Sequence, residues 1–347
     1  MPIKYAPFMT RAPTIYEIAE KVGVSVATVS RVLSGVTGKR GKKKEEILEV
    51  ARQMGYRPNK VARNLVNRRS HMLGFLASDL NNHAYVTYYH AIENFFRPRG
   101  YEILIADSER SAEIEAANIE RMLDSRVDGL IIFPVSDWDI RQAGACAITY
   151  SGIPVPVVIL GKPIAPHFDH VYPDDGLAAR LLARHLTGLK HRRCLVLISG
   201  RDSNPTALCR LEAFTREFSD SRCKVRFVDY EDPRWAEACM EAIRGEGFTA
   251  LVGVSHIDAA FFNQAAWEHG LQIPRDVSIV AFDDGKICEL VRPAITCTKM
   301  DHIAAAGRAA ALMAARLEPA YPSCKPARIA VPYELIVRAS TTRRQAG

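Results

Sequence analysis

The chain has 347 residues, 48% hydrophobic and 24% charged. Single cores stop growing at about 250–300 residues, so this length predicts two or three units, and so average a composition excludes disordered, collagen-like and disulfide-framework proteins. The formal net charge of +7 is uneven: residues 1–70 hold 15 Lys and Arg against 5 Glu and no Asp, and the rest is mildly acidic. A basic head on an acidic body points to a polyanionic partner, nucleic acid or an acidic membrane surface. Apolar runs such as Val155 to Leu160 fall far short of the roughly 20 residues that span a bilayer. The segment from Met1 to Arg11 lacks the apolar stretch and cleavage site of a secretory signal, so a cytoplasmic location is expected. The eight cysteines are never closer than nine positions apart and form no C-x-x-C pair, which argues against a zinc or redox motif and predicts reduced core thiols.

In the basic head, Thr14 and Glu17 have the spacing of a capping box, and Ile15, Ile18, Ala19 and Val22 form one apolar stripe. The pattern predicts a helix from Ile15 to about Lys21, with Gly23 at the tight turn that follows. Ser25 is placed to cap a second helix, with Val24 and Val29 as its hydrophobic staple and Val29, Val32 and Leu33 turned towards the first. This is a helix-turn-helix pattern. The opposite face of the second helix shows Val26, Ala27, Ser30 and Arg31, which suits a helix lying in a major groove. A third helix, about Lys43 to Met54, is expected to turn Ile47, Leu48, Ala51 and Met54 inward and to end at Gly55. Lys39, Arg40, Lys42, Lys43 and Lys44 read as phosphate contacts. Asn59 to Arg69 is too short to be a stable helix alone and by itself reads as a linker.

From His71 onward β-rich runs alternate with amphipathic stretches. Strands are expected at Met72–Ser78, Tyr101–Asp107, Gly129–Val135, Val155–Leu160, Cys194–Ser199, Val225–Tyr230, Ala250–Ser255 and Val277–Phe282. Helices are expected at Ala84–Arg97, Glu113–Leu123, Leu177–Leu186, Ala207–Phe218, Trp235–Ile243 and Ala259–His269. The alternation implies parallel sheets covered on both faces, in two doubly wound subdomains. A cleft at the carboxyl ends of the strands is the usual pocket. No G-x-G-x-x-G, P-loop, H-E-x-x-H or nucleophile elbow occurs, so neither an enzyme nor a cofactor is expected.

The run Thr14-Ile-Tyr-Glu-Ile-Ala-Glu-Lys-Val-Gly-Val-Ser-Val-Ala-Thr-Val-Ser-Arg-Val-Leu33, followed by Gly55-Tyr-Arg-Pro-Asn59, closely resembles the headpiece of the lactose-repressor/galactose-repressor (LacI/GalR) family of bacterial transcription regulators. The ending Leu335-Ile-Val-Arg-Ala-Ser-Thr341 is a further mark of that family. The resemblance covers nearly the whole chain. It implies a small all-α headpiece (13–58), a hinge helix or linker (59–70) and an α/β, periplasmic-binding-protein-like core (71–347). The core subdomains would be about 71–170 plus 301–323, and 171–300 plus 324–340. The implied protein is a homodimer bound to double-stranded operator DNA, most often a repressor, controlled by a small-molecule effector of the sugar class, with no metal and no membrane contact. Its DNA-facing residues would be Thr14, Ser25, Val26, Ala27, Thr28, Ser30 and Arg31, with Asn59, Val61, Ala62 and Leu65 in a hinge that wedges Leu65 into the minor groove. Arg31 would grip a guanine, Val26 and Ala27 would offer apolar contact, and Thr28 and Ser30 would bond phosphates.

The effector pocket implied by the same resemblance takes Ser78, Asn82, Ala84 and Tyr88 from one subdomain and Arg210, Trp235, Ser255 and Asp283 from the other. Such a set suits a polyhydroxylated ligand, with Trp235 as a flat face for a sugar ring. Taken singly, an Asp at a strand end caps turns, a Trp is core and an Arg is solvated. Two positions depart from the family pattern: Ser255-His256 stands where Asn-Asp is usual, and Ala213 where Gly is common. His256 is then either a ligand contact or an exposed residue at a helix start. A transport-type sugar-binding protein would share the core but carry a cleavable signal and no basic head.

Overall fold

At the start of α1 (Ile15–Val22) the Thr14 hydroxyl accepts from the Glu17 backbone N–H while the Glu17 carboxylate accepts from that of Thr14 at 2.8 Å, so the capping box is closed at both ends. Residues 13–33, 41–56, 69–81, 83–135, 153–161, 167–198, 205–218, 223–229, 231–318 and 325–344 are described in this computed structural model. They fall in two units, 1–70 and 71–347.

In the first unit Gly23 ends α1 in the left-handed region at φ 68°, and α2 (Val26–Leu33) follows. Ser25 caps α2: its hydroxyl accepts from the Thr28 backbone N–H at 3.2 Å and lies 2.8 Å from the Thr28 hydroxyl. With α3 (Lys42–Gln53), these helices close over Ile18, Ala19, Val22, Val29, Val32, Ile47 and Ala51. Leu48, expected inward, is exposed; Val50 packs against the cluster instead, because it shares the face of Ile47, Ala51 and Met54.

The second unit contains two six-stranded sheets. The first comprises β1 (Met72–Ala77), β2 (Glu102–Asp107), β3 (Gly129–Ile132), β4 (Val157–Leu160), β5 (Asp169–Pro173) and β11 (Arg328–Val331), in the order β11-β5-β4-β3-β1-β2 and parallel throughout. The second comprises β6 (Arg193–Ile198), β7 (Lys224–Asp229), β8 (Ala250–Gly253), β9 (Ser278–Ala281), β10 (Thr296–Met300) and β12 (Tyr333–Ile336), in the order β12-β10-β9-β8-β6-β7. Only β12 in these pairings runs antiparallel, against β10. The central strands are buried along their length, as strands covered on both faces must be.

Helices α4 (His83–Phe96), α5 (Ala112–Asp124) and α11 (His302–Leu317) pack on the first sheet, and α6 (Asp175–Gly188), α7 (Pro205–Phe218), α8 (Trp235–Gly245), α9 (His256–Glu268) and the short α10 (Lys286–Leu290) belong with the second. The chain therefore crosses between lobes three times: after β5, after β10 and after β11. Residues 171–173 and 328–331, expected with the second subdomain, lie in the first sheet, because β11 pairs in register with β5. Arg316 fastens that edge, holding the buried Asp169 carboxylate through two bonds of 2.6 and 2.8 Å while Ala327 donates to it at 2.7 Å.

Candidate functional site

Two surfaces carry the residues singled out from the sequence. On the headpiece, α2 exposes Ala27, Ser30 and Arg31, with Thr28 half-buried, and the Arg31 Nε donates to the Ala27 carbonyl at 3.2 Å, laying the guanidinium stem along the helix. Val26 differs from expectation. Its branched side chain packs partly into the headpiece cluster, so Ala27 is the more open of the two apolar positions. Thr14 and Ser25 both serve as helix caps. Lys42 and Lys43 stand exposed at the start of α3, with Lys43 paired to Glu46 at 3.1 Å. Asn59, Val61, Ala62 and Leu65 lie outside the described residues.

In the core, the three crossings converge on one buried guanidinium. Arg210 of α7 donates from Nε to Asp175 (2.9 Å), from Nη1 to the Val254 carbonyl (3.1 Å) and Asp283 Oδ2 (2.6 Å), and from Nη2 to Asp283 Oδ1 (2.9 Å) and the Tyr333 hydroxyl (3.0 Å). All five of its N–H donors are thereby used. Tyr333 passes the contact on, donating to Asp283 Oδ1 at 3.1 Å. Asp175 follows the first crossing, His302 the second and Tyr333 the third. The charges stabilise one another: burial opposes ionisation of Asp283, yet the Arg210 guanidinium holds its carboxyl below the usual range, whereas burial pushes Asp175 up despite the same neighbour. Asp283 sits at φ 62°, a left-handed conformation that Asp tolerates better than most residues and that turns its carboxylate towards Arg210.

Two imidazoles flank this cluster. His256 opens α9 and packs its ring over Gly285, where an added Cβ would fall 2.4 Å from the ring Cδ2. His302 opens α11 and meets the Tyr88 ring at 5.5 Å between centroids. Burial lowers the pKa of both, against the pull of Asp283, and the Nδ1 of each is buried with no hydrogen-bond partner among the described residues. Unpaired buried nitrogens are costly, so these two are open to a polar partner.

The first lobe contributes an aromatic wall. Ser78 and Tyr85 hydroxyls lie 2.7 Å apart, and Tyr85 and Tyr88 both set edge-on against Phe133. The structure thus brings Tyr88, Arg210 and Asp283 together, with Ser78 reached through Tyr85. Ala84 is half-buried on α4, and Asn82 lies outside the described residues. Ser255 serves as N-cap of α9, its hydroxyl accepting from the Asp258 N–H at 3.2 Å while its own N–H donates to the Asp258 carboxylate at 2.8 Å. Trp235 packs against the apolar cluster that includes Leu197 and Val228. Asp175, Tyr333, His302 and Tyr85 were missed from the sequence.

Residues 14–59 match the family described as bacterial regulatory proteins, lacI family, and residues 183–341 match the periplasmic binding protein-like domain. The chain is 28% identical over 303 residues to the HTH-type transcriptional regulator AscG of Escherichia coli (strain K12), covering 83% of this chain and 87% of that one. It is 26% identical over 334 residues to the HTH-type transcriptional regulator DegA of Bacillus subtilis (strain 168), covering 95% and 98%. Among solved structures, the lac repressor bound to ONPG in its repressed state superposes with a TM-score of 0.81 at 25% identity, covering 95% of this chain and all of that one. The CelR–cellobiose complex has the same fold, with a TM-score of 0.66 at 20% identity over 94% of this chain and 99% of that one.

Proposed function

The chain belongs to the lacI family of bacterial regulatory proteins, DNA-binding transcriptional regulators rather than enzymes, and from that premise we propose that it is a homodimeric repressor whose hold on operator DNA is set by a small polyhydroxylated molecule bound between the lobes of its core. The observation that carries the ligand reading is the pair of orphaned imidazole nitrogens, His256 and His302 Nδ1, beside Asp283. Because Arg210 spends every donor within the protein, the ligand's hydroxyls meet Asp283, the two imidazoles and the aromatic wall of Tyr88, with Arg210 fixing the carboxylate in place. The sugar class is supported by the ONPG and cellobiose held by the similar proteins. Since the three crossings meet at the same cluster, a bound molecule bears on the angle between lobes, a two-state element suited to coupling two sites.

At the N-terminal end of the chain, the 13–58 headpiece would read bases with Arg31 and Ala27. Arg31→Ala should cost about 1–3 kcal/mol on the cognate operator and relax specificity there, with little loss on random duplex; equal loss on both would remove Arg31 from base reading. The test of the whole proposal is a mobility-shift assay on the DNA upstream of the protein's own gene, repeated with sugars, sugar acids and nucleobases. A protein that prefers no duplex sequence to bulk DNA, or whose shift no member of the panel alters, fails it.

A further inference from the structure

Behind the Arg210 cluster the second lobe holds a separate group of side chains that the regulator reading leaves unused. Cys288, at the centre of α10, and Cys297, on β10, are both fully buried free thiols, and their sulfurs and the Asp284 carboxylate lie within 4.8 Å of one another. Three potential ligands so close suggest a metal site, but Arg338 already fills it. Its Nη1 and Nη2 each donate to Asp284 at 2.9 Å, and Nη1 also lies 2.9 Å from the Cys297 sulfur. A bound cation would have to displace or face that guanidinium. What the arrangement favours instead is thiol chemistry beside a fixed positive charge.

We propose that Cys288 and Cys297 form a reversible disulfide when the protein meets a hydroperoxide. The two thiols are unequal, as such a reaction needs. The neighbouring Cys297 holds Cys288 below the ordinary thiol range, and the same contact, with burial, pushes Cys297 up. Cys288 is therefore the attacking sulfur and Cys297, whose sulfur donates to Asp284 at 3.2 Å, the resolving one. The Cys288 thiolate attacks one peroxide oxygen and the O–O bond breaks, giving Cys288 sulfenic acid and, after protonation, an alcohol or water. The Cys297 sulfur then attacks Cys288, the S–O bond breaks, water leaves, and the S–S bond forms. Two electrons pass from the sulfurs to the peroxide. Reaching the buried pair requires local opening of α10, a five-residue helix whose Lys286, Glu289 and Leu290 are exposed in the single chain.

The experiment treats the folded full-length protein with stoichiometric hydrogen peroxide, blocks remaining thiols under denaturing conditions, and maps peptides by mass spectrometry. A Cys288–Cys297 link, two mass units lighter than the dithiol, should form and be reversed by dithiothreitol. In Cys288→Ser, Cys297 should stay alkylatable; in Cys297→Ser, Cys288 should give a sulfenic acid that dimedone traps. Both thiols remaining free in the treated wild-type protein, or another pair such as Cys194 and Cys223 linking in their place, would overturn the proposal. A parallel titration with zinc chloride should show no binding that Cys288→Ser removes; tight zinc binding lost in that variant would make the cluster a metal site and overturn it as well.

Discussion

Arg210 is a buried charge kept by its partners. Breaking such a pair by removing one member strands the other, at about 3–5 kcal/mol. Asp283→Asn keeps the size and the left-handed backbone but removes the charge that two of the guanidinium nitrogens face. We expect a loss of stability of that order in urea unfolding, with the effector response lost as well; a loss under about 1 kcal/mol would mean that Asp175 and Tyr333 suffice to hold Arg210. Gly285 offers a second test at the same place. Its φ of −110° is open to any residue, so Gly285→Ala acts only by driving its Cβ into the His256 ring. Overpacking of that kind costs about 1–3 kcal/mol, and adding His256→Ala should recover most of it. A double variant as unstable as Gly285→Ala alone would show that the clash lies elsewhere. Tyr88, Arg210 and Asp283 were legible from the sequence through the family resemblance. Asp175, His302 and Tyr333 were not, because they follow three crossings 31 to 127 positions apart, between residues 175, 302 and 333, that only the folded topology brings together.

Among the elements, those with strong periodicity were the ones the sequence made visible. The buried apolar runs of β1, β3, β4, β6, β8 and β9 and the capped, amphipathic α1 and α5 fall where they were expected, within two or three residues. The misses share a cause. β5 reads Asp-His-Val-Tyr-Pro, β10 Thr-Cys-Thr-Lys-Met and β12 Tyr-Glu-Leu-Ile, short segments whose strand state comes from their sheet neighbours rather than from their own composition. α11 buries Ala305, Ala306, Ala309 and Ala310, small residues that let α4 approach closely but give only a weak hydrophobic stripe. The α9 helix carries its own prediction. Ser255 is its N-cap and half of a capping box, and Asp258, the other half, is pushed up to about 6 by burial. Ser255→Ala should cost about 1 kcal/mol and leave the Asp258 N–H without the hydroxyl acceptor that orders the first turn. A calorimetric midpoint unchanged from the wild type would show that this turn is held by packing alone.

For the whole molecule, the proposed homodimer has to hold two headpieces to one piece of DNA. The second lobe exposes Ile257 and Phe261 one turn apart on α9, and Leu290, 69% exposed, on the adjoining α10. Large apolar side chains gathered on neighbouring helices are candidates for a protein contact surface, and in the proposed homodimer a self-complementary contact uses the same patch on both copies. Ile257→Lys combined with Leu290→Lys places two positive charges on each copy where the apolar faces would meet, without touching a buried residue. The variant should stay folded, sediment as a monomer, and bind a palindromic operator about 10²–10⁴-fold more weakly, since the second headpiece loses the effective concentration that tethering supplies. Binding to a single half-site should be unchanged. If the variant remains dimeric with full operator affinity, subunits join through another face, and the exposed patch on α9 and α10 serves some other contact.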